Sequence, residues 1–329
     1  MKSELYNKAL KGYYKLRSDF LSLNPSIKSS LHIFDHTIAP ILLYNSEIWG
    51  CYCASNSKLR ISFDLDKIYN NSLFEKLHLK FSKFILGVHK KSVNFAVLSE
   101  LGRFPLYYGV IKSIIRYWYR LENLSSDFPL LNDAYKCSKN LDIENKFSWF
   151  TFVNKLLQSI GIKREDCTKN KFGFNSLLDK LIRKKLLDTW YDQRNENIDG
   201  KLCTYLKIKD HFGFENYLTC MKNPDQRKAL CRLRISAHRL QIETGRYSKT
   251  PRSERFCKKC CTNEIEDETH FLCECQKLET HRNKLWSVVK QKCPNFVNLP
   301  KESKIIFLLN NENTEVLAAT AKFIIDNLD

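Results

Sequence analysis

Cysteines and one histidine near the C-terminal end of this 329-residue sequence have the types and spacing of metal ligands. Cys257, Cys260, His270 and Cys275 follow the pattern C-x2-C-x9-H-x4-C. Three thiolates and one imidazole at such spacings can close a tetrahedron around zinc. Because four protein ligands leave no open coordination position, the pattern predicts a structural zinc site rather than a catalytic one.

Two neighbouring cysteines are alternative ligands: Cys261 could replace Cys260, and Cys273 could replace Cys275. On an ideal helix Cys273 shares the face of His270, whereas Cys275, five residues on, points about 140° away. A site built with Cys275 therefore needs a locally distorted helix. The other interpretation is that these cysteines are buried free thiols, since Cys packs as a small apolar residue.

Composition bounds the class of protein. Hydrophobic residues make up 43% of the chain, and Gly (10) and Pro (8) are few, which favours a folded chain with a sizeable core. No apolar run approaches about 18 residues, so we expect no membrane span. With 13 cysteines and no apolar signal-peptide core at the N-terminus, we expect a cytoplasmic or nuclear protein whose cysteines are thiols or metal ligands.

Positive charge is concentrated in residues 227–259, here called the basic segment. It holds eleven basic and two acidic residues, a net +9 out of +18 for the whole chain. The guanidinium fork of arginine suits phosphate, so the segment predicts RNA or DNA as the partner and no small-molecule substrate. The alternative is a solvated helix face without a ligand. The predicted nucleic-acid-binding residues are Arg227, Lys228, Arg232, Arg234, Arg239, Arg246, Arg252 and Arg255.

Apolar residues recur at helical spacing along nearly the whole sequence. Gly87 is expected to close a helix as a left-handed cap, and Pro105 to lie in the first turn of the next helix. A short strand is expected at most near residues 255–256. The predicted helices are residues 3–20, 28–49, 64–86, 106–121, 146–159, 174–192, 224–240, 268–290, 301–309 and 313–328, with polar breaks at 125–145 and 161–174.

The predicted fold class is therefore mainly α. We expect a helical region at 1–125, a helical connector at 126–223, and a basic helix with a zinc-binding region at 224–329. In the helix predicted at 224–240, Leu230, Leu233, Ala237 and Leu240 form an apolar stripe. Arg232 and Arg239, seven residues apart, would project from one side of successive turns toward a phosphate backbone.

Several motifs occur together: the run from Arg232 to Tyr247, the C-x2-C-x9-H-x4-C pattern, and residues 34–50, continued by 81–87 and 99–106. The combination, over most of 30–120 and 227–286, resembles the C-terminal part of LINE-like (non-LTR) retrotransposon reverse transcriptases. In that family four residues separate the last His and Cys ligands, which favours Cys275. Asn45 stands where Gly is usual, and Gln276-Lys277 follows Cys275 where Pro is common.

The resemblance implies a thumb-like helical N-terminal part, downstream of the catalytic palm, and a C-terminal CCHC zinc module. Active members of the family are RNA-directed DNA polymerases, which need paired carboxylates for two magnesium ions. The family supplies them from an Asp-Asp pair, and this sequence has no two adjacent aspartates. We therefore expect no polymerase activity from this chain.

The sequence as a whole predicts a zinc-stabilised nucleic-acid-binding protein, a truncated retrotransposon reverse transcriptase without the palm. One alternative is a helical, zinc-containing protein-interaction module in which the arginines are incidental. Another is an incomplete gene model of an active RNA-directed DNA polymerase.

Overall fold

The computed structural model describes residues 2–53, 63–125, 127–168, 170–196, 200–260 and 262–328. Within these ranges the chain is mainly α-helical and forms no strand beyond two isolated bridges, which confirms the predicted fold class. Among the described helices, none combines the length and apolar character needed to cross a bilayer. The helices are α1 Lys2–Leu23, α2 Ile27–Thr37, α3 Ala39–Leu42, α4 Ser46–Trp49, α5 Leu65–Tyr69, α6 Leu73–Leu86, α7 Asn94–Glu100, α8 Tyr107–Glu122, α9 Pro129–Ile143, α10 Trp149–Ile160, α11 Lys171–Glu196, α12 Cys203–Ile208, α13 Tyr217–Cys220, α14 Pro224–Arg234, α15 Gln241–Tyr247, α16 Glu279–Lys292, α17 Lys301–Leu309 and α18 Thr314–Asn327.

The chain divides into two compact units. The first comprises Met1–Pro25, Ser29–Leu79 and Phe104–Tyr191, and the second Ser26–Lys28, Lys80–Arg103 and Asp192–Asp329. The three-region division expected from sequence stays a prediction. The candidate site lies in the second unit.

In the first unit, α8 buries seven side chains, and Val110, Ile114 and Trp118 among them are fully covered. The helix expected at 28–49 is instead α2, α3 and α4. Pro40 lies in the first turn of α3, and Asn45 adopts a left-handed conformation (φ 53°) just before α4. Left-handed backbone ends a helix, and Asn is one of the few residues that tolerate it.

The polar break expected at 125–145 is wrong, because it contains α9. Of the α9 side chains only Tyr135 is buried, and its hydroxyl donates to Glu122. Leu130, Ala134, Cys137 and Leu141 of α9 do follow helical spacing, but the polar residues between them led the sequence analysis to expect a break. Pro105 also precedes its helix instead of lying in its first turn, since α8 begins at Tyr107.

The second unit is built around α18, which packs against α14, α16 and α17. Val316, Leu317 and Ala321 of α18 are fully buried. The bounds of α17 and α18 agree with the predicted helices at 301–309 and 313–328. Gly87 has φ 65° and closes α6 as predicted, with the Val88 amide donating to the Lys83 carbonyl (3.1 Å).

The helix predicted at 224–240 ends six residues early, at Arg234. Ser236 has φ 52°, and α15 starts only at Gln241. Arg232 and Arg239 are therefore not on one helix, and the predicted stripe from Leu230 to Leu240 spans two segments. Arg234, the last residue of α14, explains why the helix ends there, because its side chain is buried inside the protein.

Arg234 belongs to a buried charge cluster, defined here as Glu100, Lys209, Glu215 and Arg234. Its guanidinium binds both Glu100 oxygens (3.0–3.3 Å) and Glu215 (2.5 Å), and also donates to the Leu309 carbonyl. Lys209 pairs with Glu215, so two cations and two anions are enclosed together. Burial alone would lower the pKa of Arg234, but the two carboxylates outweigh it and raise that pKa.

Replacement of Arg234 by Met should destabilise the protein by about 3–5 kcal/mol, because it leaves two buried carboxylates with one lysine. The matched control is Arg239→Met at an exposed position, where we expect a change within about 0.5 kcal/mol. Urea unfolding followed by circular dichroism measures both. Equal stability of the two variants would contradict the structural role given to the cluster.

Candidate functional site

Cys257 and Cys260 lie on a short antiparallel turn. Phe256 bridges Ile265, and the Cys257 amide donates to the Glu264 carbonyl (2.8 Å). The short strand expected at most near residues 255–256 is thus a single bridge. The turn presents both thiols on one side, as a C-x2-C metal pair requires. Cys261, one of the alternative ligands, lies outside the described residues.

His270 and Cys275 are brought together by one turn of π-helix. Residues His270–Glu274 form this turn, and the Cys275 amide donates to the His270 carbonyl, five residues back (2.8 Å). A π turn is wider than an α turn, so a residue at i+5 returns to the same side. The continuous helix expected at 268–290 is thus wrong, because the chain turns again before α16 begins at Glu279. This distortion lets Cys275 join the site.

The four predicted ligands converge. The ligand atoms of Cys257, Cys260, His270 and Cys275 all lie within 4.8 Å of one another, so they can hold a metal ion. The Cys257 and Cys275 sulfurs are 3.9 Å apart, and the Cys260 sulfur is 3.3 Å from Nε2 of His270. Cys273 is not a member of this group among the described residues.

The thiols differ in how readily they ionise. Burial raises the pKa of Cys257 to about 12 and also raises the pKa of Cys275. Burial opposes ionisation of Cys260 as well, but hydrogen bonds with Thr262, Cys257 and His270 outweigh it and lower its pKa to about 6. Three neighbouring thiolates need a cation to balance them, since metal ligation requires deprotonated sulfur.

Carboxylates surround the histidine on its other side. Nδ1 of His270 lies 2.8 Å from Glu264 and 3.8 Å from Glu274. A carboxylate on one ring nitrogen fixes the tautomer that leaves the other nitrogen free for a metal. Arg282 of α16 donates to the Cys275 carbonyl, which holds the end of the π turn.

Two buried glutamates of residues 257–275, here called the metal segment, bind the chain between the end of α14 and the first residue of α15. Glu266 accepts from the Gln241 amide (2.8 Å) at the start of α15 and lies 3.6 Å from the Cys257 sulfur. Glu268 accepts from the Ser236 hydroxyl (3.0 Å) and lies 2.9 Å from Nε2 of His238. The metal segment therefore fixes the conformation of residues 236–241.

The structure separates the predicted nucleic-acid-binding residues into three groups. Arg234 is buried in the charge cluster, so we take it out of the phosphate-binding set. The half-buried Arg227 and Arg255 donate to the backbone carbonyls of Met221, and of Ile242 and Thr250, respectively, and Lys228 pairs with Asp225. The exposed members are Arg232, Arg239, Arg246 and Arg252.

Only two of the predicted residues, Arg232 and Arg239, line a cleft of about 620 Å³. Nε of Arg232 donates to the Gly87 carbonyl (2.8 Å), which anchors the guanidinium at the cleft wall. A guanidinium has five N–H donors, so the remaining ones can bind a ligand. Arg239 has no acidic partner within the described ranges. The exposed Arg246 and Arg252 contact Glu243 and Cys203 instead.

Sequence reasoning missed three basic cleft residues, His89, Lys91 and Lys201, and one aromatic residue, Tyr247. The three basic residues lie outside the basic segment, in two other parts of the second unit, so its local excess of charge did not mark them, and Tyr247 carries no charge. Lys201 is balanced by Glu243 (2.8 Å), whereas Lys91 is exposed and has no acidic partner in the part of the chain described. The cleft therefore presents Lys91, Arg232 and Arg239 as unbalanced cations.

Comparison of the chain with protein-family models, with curated proteins and with solved structures finds no match. The resemblance to retrotransposon reverse transcriptases thus stays a prediction that rests on the motifs alone.

The π turn predicts which cysteine is the fourth ligand. Cys275→Ser should reduce bound metal well below one equivalent per chain, because it removes a converging sulfur, whereas Cys273→Ser should keep one equivalent. Elemental analysis after dialysis against metal-free buffer gives both values. The reverse pattern would assign the site to Cys273 and contradict the geometry described here.

Proposed function

We propose that this chain is a zinc-stabilised nucleic-acid-binding protein whose phosphate contacts lie in the basic cleft. The observation that carries the proposal is the connection between the two parts of the site. Glu268 of the metal segment binds Ser236, which lines the cleft, and Glu266 binds Gln241 at the start of α15. A metal at the four ligands would then hold a phosphate-binding surface in place without touching the nucleic acid.

Zinc fits the ligand set and its dimensions. Zn–S bonds of about 2.3 Å at tetrahedral angles separate two sulfurs by about 3.8 Å, and the Cys257 and Cys275 sulfurs are 3.9 Å apart. Cysteine thiolates with one imidazole also select zinc over the hard cations magnesium and calcium. All four ligands come from the protein, so the role we propose for zinc is structural.

The cleft supports binding to phosphate. Its unbalanced cations are two arginines and one lysine, and an arginine can make two parallel bonds to one phosphate. Cations that neutralise phosphates release counterions, which gives affinity without sequence preference. The partner we propose is therefore RNA or DNA recognised mainly through its backbone.

The resemblance noted in the sequence adds a proposed origin. We propose that the chain originates from a LINE-like retrotransposon reverse transcriptase. We also propose that it does not catalyse nucleotide transfer, since it has no adjacent Asp-Asp pair. The proposal of binding through the cleft does not depend on that origin, because it is supported by charges and distances in this chain.

Elemental analysis tests the metal. We expect one zinc per chain, lost in a Cys257→Ser, Cys260→Ser double variant, together with a lower urea midpoint because bound metal is linked to folding. Cys137→Ser, at an exposed cysteine of α9, is the control and should keep its zinc. Full zinc content in the double variant would contradict this assignment.

The salt dependence of binding tests the cleft. For an Arg232→Gln, Arg239→Gln variant, the slope of log affinity against log salt should flatten by roughly 1.4–1.8, or about 0.7–0.9 for each lost phosphate contact. Fluorescence anisotropy with a labelled oligonucleotide measures it. A Lys8→Gln, Lys15→Gln variant removes two exposed charges from α1 and should change the slope much less.

Equal slopes for the two variants would indicate diffuse attraction to a basic protein and would contradict a cleft site. No binding by the unmodified protein at low salt would contradict nucleic-acid binding altogether and favour a protein-interaction module.

A further inference from the structure

A tyrosine at the edge of the basic cleft is free to contact a ligand. Tyr247, the last residue of α15, is 69% exposed and lines the cleft with Arg239 and Lys91. The ammonium group of Lys91 lies 5.8 Å from the centre of the Tyr247 ring. An aromatic ring exposed to this extent, next to unbalanced cations, combines an apolar face with phosphate-binding charge.

We propose that the cleft takes single-stranded nucleic acid, with one unpaired base stacked on Tyr247 and the adjoining phosphates on Lys91, Arg232 and Arg239. This inference rests on the proposed function and names the form of nucleic acid that the site selects. A positively charged groove with an aromatic platform is the arrangement by which single strands are bound.

Selection against duplex follows from the availability of base faces. In a duplex, both faces of each internal base are covered by the neighbouring bases of the stack. The Tyr247 ring therefore cannot stack on an internal base of a duplex. In a single strand the bases can be splayed out onto aromatic side chains. The cleft volume of about 620 Å³ is in the range of pockets that enclose a small ligand, roughly one or two nucleotides.

Of the other polar side chains of the cleft, three are already occupied, and the Ser92 hydroxyl is buried without a partner among the residues that the structure describes. Ser236 and His238 bind Glu268, and the Thr244 hydroxyl donates to the Leu240 carbonyl (3.3 Å). Base identity is read by hydrogen bonds to base edges, and these groups have little capacity left for that. We therefore expect binding that distinguishes single strands from duplex but tolerates any sequence.

Fluorescence anisotropy with a labelled 12-nucleotide oligouridylate and a labelled 12-base-pair duplex tests the inference on the full-length protein. Tyr247→Ala should weaken binding to the single strand roughly 5- to 150-fold and leave duplex affinity unchanged. Tyr247→Phe keeps the ring and should retain single-strand affinity within about twofold. Tyr44→Ala, at a tyrosine of the first unit that is 60% exposed, should change neither affinity.

A fluorescent base gives a second readout. An oligonucleotide with 2-aminopurine should lose fluorescence on binding the unmodified protein and the Tyr247→Phe variant, but not the Tyr247→Ala variant. Unchanged single-strand affinity in Tyr247→Ala, or an equal loss for single strand and duplex, would overturn stacking and leave the proposed function standing. Failure of the unmodified protein to bind either probe would overturn both.

Discussion

The second unit depends on the enclosure of Arg234 between Glu100 and Glu215. A buried guanidinium without partners would be prohibitively costly, so the segments that carry the carboxylates must meet at the end of α14. The Leu309 carbonyl, at the end of α17, accepts from the same group. Helix α14 therefore stops at a fixed place. This one constraint positions two residues at the cleft: Arg232, two residues before Arg234, and Ser236, two residues after it.

Hydrogen bonds connect the residues that follow α14, Ser236 and His238, to Glu268 of the metal segment. Nδ1 of His238 accepts from the Leu240 amide (3.3 Å), so Nε2 carries the proton that is donated to Glu268. Burial opposes the charge of Glu268, but the bonds with His238 and Thr204 outweigh it and lower its pKa. Ser236 and His238 of the cleft therefore bind inward, to Glu268, whereas the exposed cations of the cleft remain available to a ligand.

The sequence was sufficient for what depends on local pattern. Apolar periodicity located α17 and α18 within one residue, and spacing together with the family resemblance identified all four residues of the group that could hold a metal ion. It was insufficient where tertiary contacts override the pattern. Nothing local marks Arg234 as buried, because its partners lie 134 and 19 residues away. Likewise, an ideal helix favoured Cys273 over Cys275, and only the π turn reverses that geometry. Lys91 and Tyr247 meet through folding alone.

The compactness of the metal segment in sequence has a consequence for the order of folding. Its first and last candidate ligands are separated by 18 positions in the sequence, whereas Arg234 and Glu100 are separated by 134 positions. Loop-closure entropy grows with the logarithm of loop length, a difference of about 1.8 kcal/mol here. A nascent or unfolded chain can therefore close the metal loop first, and the closed loop then presents Glu266 and Glu268 as a template. The cleft would form on that template, and the long-range charge cluster would lock it last.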